Sequence, residues 1–481
     1  MELQVFLSLA LILLNVSKFR VTGIVFDYDI LKWLEDNGPA EEVHPGHRSG
    51  SLTWQDGDTY WLFGGETYDE TLGSVKLLND LWKQEVGTRK WTQVHDASSK
   101  PTDEMPVPRQ MGSACGVSGL YMVIFGGVGN QDQFLLDTWL YDFSNKKWVN
   151  YSGNHTDSND SVVTPAARAD AATWCTHDHM IIFSGAYEMG MLHNDMWFFS
   201  LQKFKWEDTS VSTEAGDNGR FTHLLSGFPQ PRTGAVTWGF KYGGIYLFGG
   251  NTKQKEFHAH DGAGYMSDLW KYDMTTRRWA FIQGRSHSGP RQTSSVGTVG
   301  IPLSSNKPGC RHRAASWSDT GDGLWMFGGE GLVAPVESKN GGYPTQLLKD
   351  FWYFRLKVNQ WIFVGGRTES GRSETVERLP PARILSLTFQ EGNDFYLYGG
   401  KGADDRKKHG IRGDIWHVNE NAIVYWPQHY SLGSVIGMVI LAFSLVFVLV
   451  VTTLFARKKF LGLGVRFPRV QYSKLNQTID P

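Results

Sequence analysis

A chain of 481 residues is too long for one small core and suits either several domains or one large repeat array. Its 19 Trp, 18 Tyr, 28 Phe and 54 Gly favour short strands joined by tight turns. A formal net charge of −2 argues against the basic surface that nucleic-acid affinity requires, and three cysteines are too few, and odd in number, for a disulfide framework.

The chain opens with "MELQVFLSLALILLNVSKFRVTG", whose apolar run from Val5 to Val16 has the length of a signal-peptide core and is too short to span a bilayer. The stretch before it carries Glu2 and no basic residue. Residues 1–23 are expected to be a signal peptide cleaved near Gly23. Next comes "IVFDYDILKWLE", in which Asp27 and Trp33 are spaced as Asp142 and Trp148 are further on.

From residue 48 one pattern recurs six times. It begins with an Arg (Arg48, Arg109, Arg168, Arg232, Arg311, Arg383), followed six residues later by Trp54, Cys115, Trp174, Trp238, Trp317 or Phe389. After a turn rich in Gly, Asp and Asn, a second strand ends at Gly64 and Gly65, Gly126 and Gly127, Ser184 and Gly185, Gly249 and Gly250, Gly328 and Gly329, or Gly399 and Gly400. Asp-x-Trp marks a third strand at Asp80 and Trp82, Asp137 and Trp139, Asp195 and Trp197, Asp268 and Trp270, Asp350 and Trp352, and Asp414 and Trp416. Nine residues beyond those Trp stand Trp91, Trp148, Trp206, Trp279, Trp361 and Tyr425.

As a set these features resemble the kelch repeat over about residues 24–427, and the resemblance implies that each repeat is one four-stranded blade of a β-propeller. Short alternating strands cannot bury both faces of a blade alone, so blades must stack radially. Paired glycines permit positive φ and close backbone approach, and the aromatics supply apolar surface between blades. The expected fold class is all-β: a six-bladed kelch β-propeller ectodomain over 24–428, plus one transmembrane helix. The last repeat has Tyr425 in the Trp slot and Trp426 one residue late. Either the Trp33 strand closes the ring by joining the final blade, or it lies over that blade's edge. Closure would leave no open sheet edge.

In antiparallel blades the first-to-second and third-to-fourth turns share one face, and they are short here ("GTRK", "SNKK", "TTRR"). The other face carries the long connections 207–231, 251–267, 280–310 and 330–349, where binding on a rigid scaffold usually resides. Three sequons in "NYSGNHTDSNDS", at Asn150, Asn154 and Asn159, fall in a connection on this face and are expected to be glycosylated.

Galactose oxidase-type kelch propellers are copper enzymes, but their Tyr, Cys and His set cannot be assembled from this chain. Cys115 and Cys175 read as buried packing residues in first strands. His258, His260 and Asp261 in "FHAHDGAGY" are weak metal candidates without an evident further ligand. "CTHDH" (175–179) lies in a tight turn that suits Asp and His for turn geometry. In "CRHR" (310–313), Arg311 and Arg313 could bind an anion, although Arg311 fills the repeated Arg slot. No catalytic set or cofactor is expected.

Leu432–Phe455 contains no charged residue and would extend roughly 36 Å as a helix, enough to cross a bilayer core of about 30 Å. Arg457, Lys458 and Lys459 follow directly and place 456–481 in the cytoplasm, a type I topology. In that tail "YSKL", Tyr472 to Leu475, resembles the sorting signal that clathrin adaptors read as an extended strand.

The expected function is that of a non-enzymatic type I membrane protein, at the cell surface or in endosomes, whose propeller binds a protein or glycan through its long-loop face. Its tail would engage a clathrin adaptor. Extracellular kelch propellers of the attractin type are an analogy, although the cysteine-rich modules that accompany them are absent here. The alternatives are a membrane-tethered oxidase or sugar-active enzyme, and an adhesion protein acting by self-association.

Overall fold

A computed structural model describes residues 34–36 and 43–419, apart from 86–89, 97–103, 153–163, 189–190, 209–226, 253–263, 286–292, 298, 333–344, 368–372, 375–378, 393 and 403–409. The signal segment, the 432–455 segment, Tyr472 and Leu475 lie outside the described residues, as do Asn154, Asn159, His258, His260 and Asp261. Among the described residues, helix is confined to one 3-10 turn, Asn130–Asp132, and no helix is long and apolar enough to cross a membrane.

All other elements are strands, most of them gathered into six antiparallel blades, with two small separate sheets formed by Ala186–Glu188 and Met191–Leu192 and by Arg311–His312, Glu330–Leu332 and Thr345–Leu347. The first blade comprises Leu52–Asp56, Thr59–Asp69, Ser74–Glu85 and Trp91–His95. The second comprises Ser113–Val117, Tyr121–Val128, Phe134–Asp142 and Lys147–Asn150, and the third Ala172–Cys175, His179–Phe183, Met196–Ser200 and Lys205–Asp208. The fourth comprises Val236–Lys241, Gly244–Phe248, Leu269–Asp273 and Arg278–Gln283. The fifth comprises Ala315–Ser318, Gly323–Phe327, Lys349–Arg355 and Gln360–Arg367, extended by Ser373–Glu374. The sixth takes Leu387–Glu391, Asp394–Gly402 and Ile411–Asn419 from the end of the array and Leu34–Asp36 from its beginning. That last strand pairs antiparallel, Leu34 opposite His417 and Asp36 opposite Ile415, so the N-terminal strand closes the ring. First strands of neighbouring blades meet around the whole circle, the sixth against the first.

Burial follows position within a blade. The second strand lies between two neighbouring blades, and Gly244–Phe248 and Gly323–Phe327 are buried at every residue. The outermost strand turns a single large residue inward, as at Trp148 in Lys147–Asn150, with the rest exposed. Each of six apolar clusters joins two consecutive blades; one unites Tyr60, Leu62, Trp82 and Trp91 of the first with Leu387, Phe389 and Tyr398 of the sixth.

The repeated Arg is the centre of each blade's polar wiring. Arg232 is fully buried; its Nη1 and Nη2 donate to Asp268 Oδ1 (2.6 Å) and Oδ2 (2.9 Å), and Nη1 also donates to the Gly249 carbonyl at 2.7 Å. Trp270 Nε1 donates to the same carboxylate at 2.6 Å. The constellation recurs as Arg48–Asp80–Trp82, Arg109–Asp137–Trp139, Arg168–Asp195–Trp197, Arg311–Asp350–Trp352 and Arg383–Asp414–Trp416.

The Arg backbone joins blade to blade. The second Gly of each pair donates its N–H to the carbonyl of the next blade's Arg: Gly65 to Arg109, Gly127 to Arg168, Gly185 to Arg232, Gly250 to Arg311, Gly329 to Arg383, and Gly400 back to Arg48. The first Gly lies under the same carbonyl: a Cβ on Gly249, at φ +63°, would stand 2.4 Å from Arg311 O. Ser184 takes this slot in the third blade at φ 61° and compensates with its hydroxyl, which donates to His193 O and accepts from Arg232 N–H.

The first-strand aromatic slot faces the following blade. Trp174 Nε1 donates to Tyr246 O, Trp238 Nε1 to Trp325 O, and Trp317 Nε1 to Phe389 O and Tyr396 O. In the second blade this slot holds Cys115, and Cys115 forms a disulfide with Cys175 of the third blade, their Cα atoms 5.3 Å apart. Both cysteines pack in an inter-blade apolar cluster, as expected, and they are also linked: a covalent bond takes the place of the indole-to-carbonyl bridge. Cys310 is buried and takes no part in a disulfide.

Removing one partner of these ion pairs strands a buried charge. Asp268→Ala, at a carboxylate whose side chain is 0% exposed, is expected to lower the unfolding free energy by roughly 3–5 kcal/mol. Asp195→Ala, at a side chain 28% exposed, should lower it clearly less because water reaches the remaining guanidinium. Urea unfolding of the two variants provides the comparison, and equal losses would show that burial does not set the cost.

Candidate functional site

Two residues beyond each repeated Arg, on the long-loop face, the backbones of successive blades meet. Gly50, Met111, Asp170, Gly234, Arg313 and Leu385 occupy this position, all with φ between 53° and 65°. Left-handed backbone turns each N–H toward the preceding blade, and a closed circle of six hydrogen bonds results. Met111 donates to Gly50, Asp170 to Met111, Gly234 to Asp170, Arg313 to Gly234, Leu385 to Arg313 and Gly50 to Leu385, at 2.7 to 3.4 Å. Backbone thus fixes the rim of the axial mouth, while the side chains on it differ from blade to blade.

Those side chains form a charged cluster on one side. Arg313 reaches across Gly234 and donates from Nε to Asp170 Oδ2 at 2.8 Å, linking the fifth blade to the third. The missing side chain at Gly234 makes room, since a Cβ there would stand 2.7 Å from Arg313 Cγ. The Asp170 charge, above all, raises the Arg313 pKa further. In "CRHR", Arg311 has the structural role that its repeat slot suggested, held by Asp350, and Arg313 is held by Asp170.

A second tier stands just past the Gly pairs, where Glu66, Val128, Ala186, Asn251, Glu330 and Lys401 pair with the residue after the repeated Arg. Glu330 is bound by His312 Nε2 at 3.2 Å and by the Thr345 hydroxyl at 2.6 Å. These contacts tie down the hairpin of Glu330–Leu332 and Thr345–Leu347. The hydrogen bond from His312 is the main reason the Glu330 carboxyl is lowered to about 2, with Thr345, the His312 charge and Arg313 adding to it. Tyr265, edge-on to His312 at 4.8 Å, has its hydroxyl pKa raised by burial first and by Glu330 second. Across the ring closure, Lys401 meets Glu66 at 3.4 Å, and Ser49 donates to the same carboxylate oxygen at 2.7 Å.

Sequence reasoning reached Asn251 and the loops beyond the Gly pairs, and it missed Asp170 and His312. The signal for the rim was a fixed offset from a repeated Arg at which residue type varies. Asn150 is exposed at the end of an outer strand, where its side-chain oxygen accepts from Ser152 N–H. In the 175–179 turn, Thr176 and His179 bond to each other and His177 to Asp178, serving turn geometry as expected. Among the described residues, no group of three or more His, Cys, Asp and Glu could hold a metal ion. The face as described offers ion pairs, hydrogen-bonding groups and exposed loop ends to a partner.

Residues 19–159 match the family model of the KLHDC2/KLHL20/DRC7 Kelch-repeats domain. An F-box/kelch-repeat protein of Arabidopsis thaliana is 25% identical over 64% of this chain and 60% of its own length. Kelch domain-containing protein 2 of Bos taurus is 25% identical over 33% of this chain and 36% of its own. The flagellar outer arm dynein alpha chain of Chlamydomonas reinhardtii is 27% identical over 41% of this chain. The chain spans less than two thirds of each of these relatives, and only 4% of the dynein chain.

Glu330 carries the pH dependence of this cluster. Its folded pKa lies below the ordinary carboxylate value of 4.5, so its stabilisation is fully present above about 4.5 and disappears as pH falls toward 2. His312→Ala is expected to raise the Glu330 pKa toward 4.5 and so to shrink the loss of stability that falling pH causes below about 4.5. Carboxyl carbon chemical shifts titrated in both proteins measure this; an ordinary pKa for Glu330 in the unaltered protein would contradict the clamp.

Proposed function

We propose that this kelch-repeat protein is a non-enzymatic, single-pass type I membrane protein whose propeller, outside the cytosol, binds a protein or glycan partner through its long-loop face. The observation that carries the reading is the division of labour within each repeat. Arg, Asp, Trp and the Gly pair are nearly invariant from blade to blade and are consumed by internal bonds. At the axial mouth of the long-loop face, the equivalent positions hold Gly, Met, Asp, Gly, Arg and Leu, a surface with no internal symmetry. A single irregular patch on a rigid frame suits recognition of one partner. One relative is by name an F-box/kelch-repeat protein and another a dynein chain, which accords with a module used for binding in different settings.

The membrane setting rests on the uncharged 432–455 segment and the basic residues that follow it. The Cys115–Cys175 bond supports the same orientation, because disulfides persist in oxidising compartments and are rare in the cytosol. Peptide mapping of the protein isolated from cells, with thiols blocked at lysis, is expected to recover Cys115 linked to Cys175 and Cys310 as a thiol. Recovery of all three as thiols would remove this support.

Cross-linking from the propeller in cells should capture a partner. Leu72→Asp and Glu188→Lys, both exposed on the long-loop face, are expected to reduce capture without changing the melting temperature. Leu120→Asp and Val358→Asp, exposed in the short turns, are expected to leave it intact. The reverse pattern would sink the assignment of the face.

A further inference from the structure

The short-turn face, which the foregoing reading leaves without a role, carries a built cleft. It has a volume of about 410 Å³ and opens between the third and fourth blades, within the range of about 300–1,000 Å³ typical of small-molecule sites. Its inner wall is aromatic: Phe198 and Tyr272 come from the third strands of the two blades, ring centroids 6.3 Å apart, and His179 stands edge-on to Phe198 at 5.7 Å. Phe240, near the end of the first strand of the fourth blade, forms part of the lining and is 59% exposed. Phe198 and Tyr272 are packed into an inter-blade cluster, whereas the Phe240 ring is left largely to solvent at the lip.

The polar groups decide what such a cleft takes. Arg277, in the third-to-fourth turn of the fourth blade, makes no hydrogen bond or ion pair among the described residues. Glu207 on the outer strand of the third blade shares its carboxylate only with the exposed Lys203, a surface pair of little strength. Asp178 is already engaged by His177 and Gln202. A guanidinium and a carboxylate with spare bonding capacity thus line one cleft, and their opposite charges favour neither an anion nor a cation. Both donors and acceptors are offered beside aromatic faces. That combination matches an uncharged polyol with one apolar face: C–H groups lie on a ring while vicinal hydroxyls bridge acceptor and donor.

We propose that this cleft binds a neutral hexopyranose unit, stacked on Phe240 and hydrogen-bonded by Glu207 and Arg277. The site is separate from the long-loop face, so it stands or falls independently of partner capture there.

The test uses the full-length chain in a sugar-free detergent, applied to a glycan array and titrated calorimetrically with methyl α- and β-hexopyranosides. Hexose-terminated glycans are expected to bind, and Phe240→Ala and Arg277→Ala should each weaken binding about tenfold or more. Leu120→Ala, exposed on the same face in another blade, should not. Binding of the free glycosides would show that the sugar suffices, and binding of array glycans alone would assign the site to a longer linked glycan; either supports the proposal. It is overturned if no hexose ligand binds, or if both cleft variants bind as the unaltered chain does. It is equally overturned if a partner protein depends on Phe240 after its glycans have been removed enzymatically.

Discussion

A buried guanidinium is costly unless every N–H finds a partner and the charge is matched, and this fold buries six of them. Each Arg answers the cost with a two-pronged pair to the Asp of its own third strand and a bond to the carbonyl at the end of its second strand. Three strands of the blade are thereby fixed to one side chain. The same residue's carbonyl then accepts from the preceding blade, and the last of these bonds, Gly400 to Arg48, returns to the start. One residue type at one position therefore determines both how a blade is internally registered and how it docks on its neighbour.

The remaining frame follows from that geometry. Because the Arg carbonyl sits where a Cβ would have to go, the strand end before it must be Gly or an equivalent such as Ser184 that can bond in its place. Because the blade is anchored near the axis, one first-strand position carries a side chain to the next blade in every repeat, and four chemistries serve there. Trp174, Trp238 and Trp317 donate an indole N–H across the gap. Trp54 stacks on Phe143, Phe389 packs on Tyr60 and Trp91, and Cys115 forms a covalent bond. The constraint is on contact, and the side chain is free to vary as long as contact is made.

This explains what could be read from the chain and what could not. Groups satisfied within one repeat, such as Asp268 with Trp270 and the Arg that faces them, recur at fixed spacing and stand out on alignment. The closing strand was legible because Asp27 and Trp33 retain the spacing of a third-to-fourth strand junction, and Leu34–Asp36 does pair with the last blade. The disulfide was not, since Cys115 sits in the aligned slot and Cys175 one residue beyond the equivalent Trp174. Repeat alignment therefore sets the two half-cystines out of register, although neighbouring inner strands bring them together. The Arg313–Asp170 pair escaped for a related reason: it skips a blade, and depends on the absence of a side chain at Gly234.

Variation between repeats is concentrated at the positions that the frame does not consume. Around the axis the circle of backbone hydrogen bonds holds its shape whatever side chain is attached, which is why Met111, Asp170 and Arg313 can occupy equivalent sites. Away from the axis, the cleft between the third and fourth blades lies beside the packed aromatic cluster, where Phe240 near the end of a first strand and Arg277 in a turn complete the lining. Residue type varies at both places from blade to blade, whereas the Arg, Asp, Trp and Gly of the frame recur.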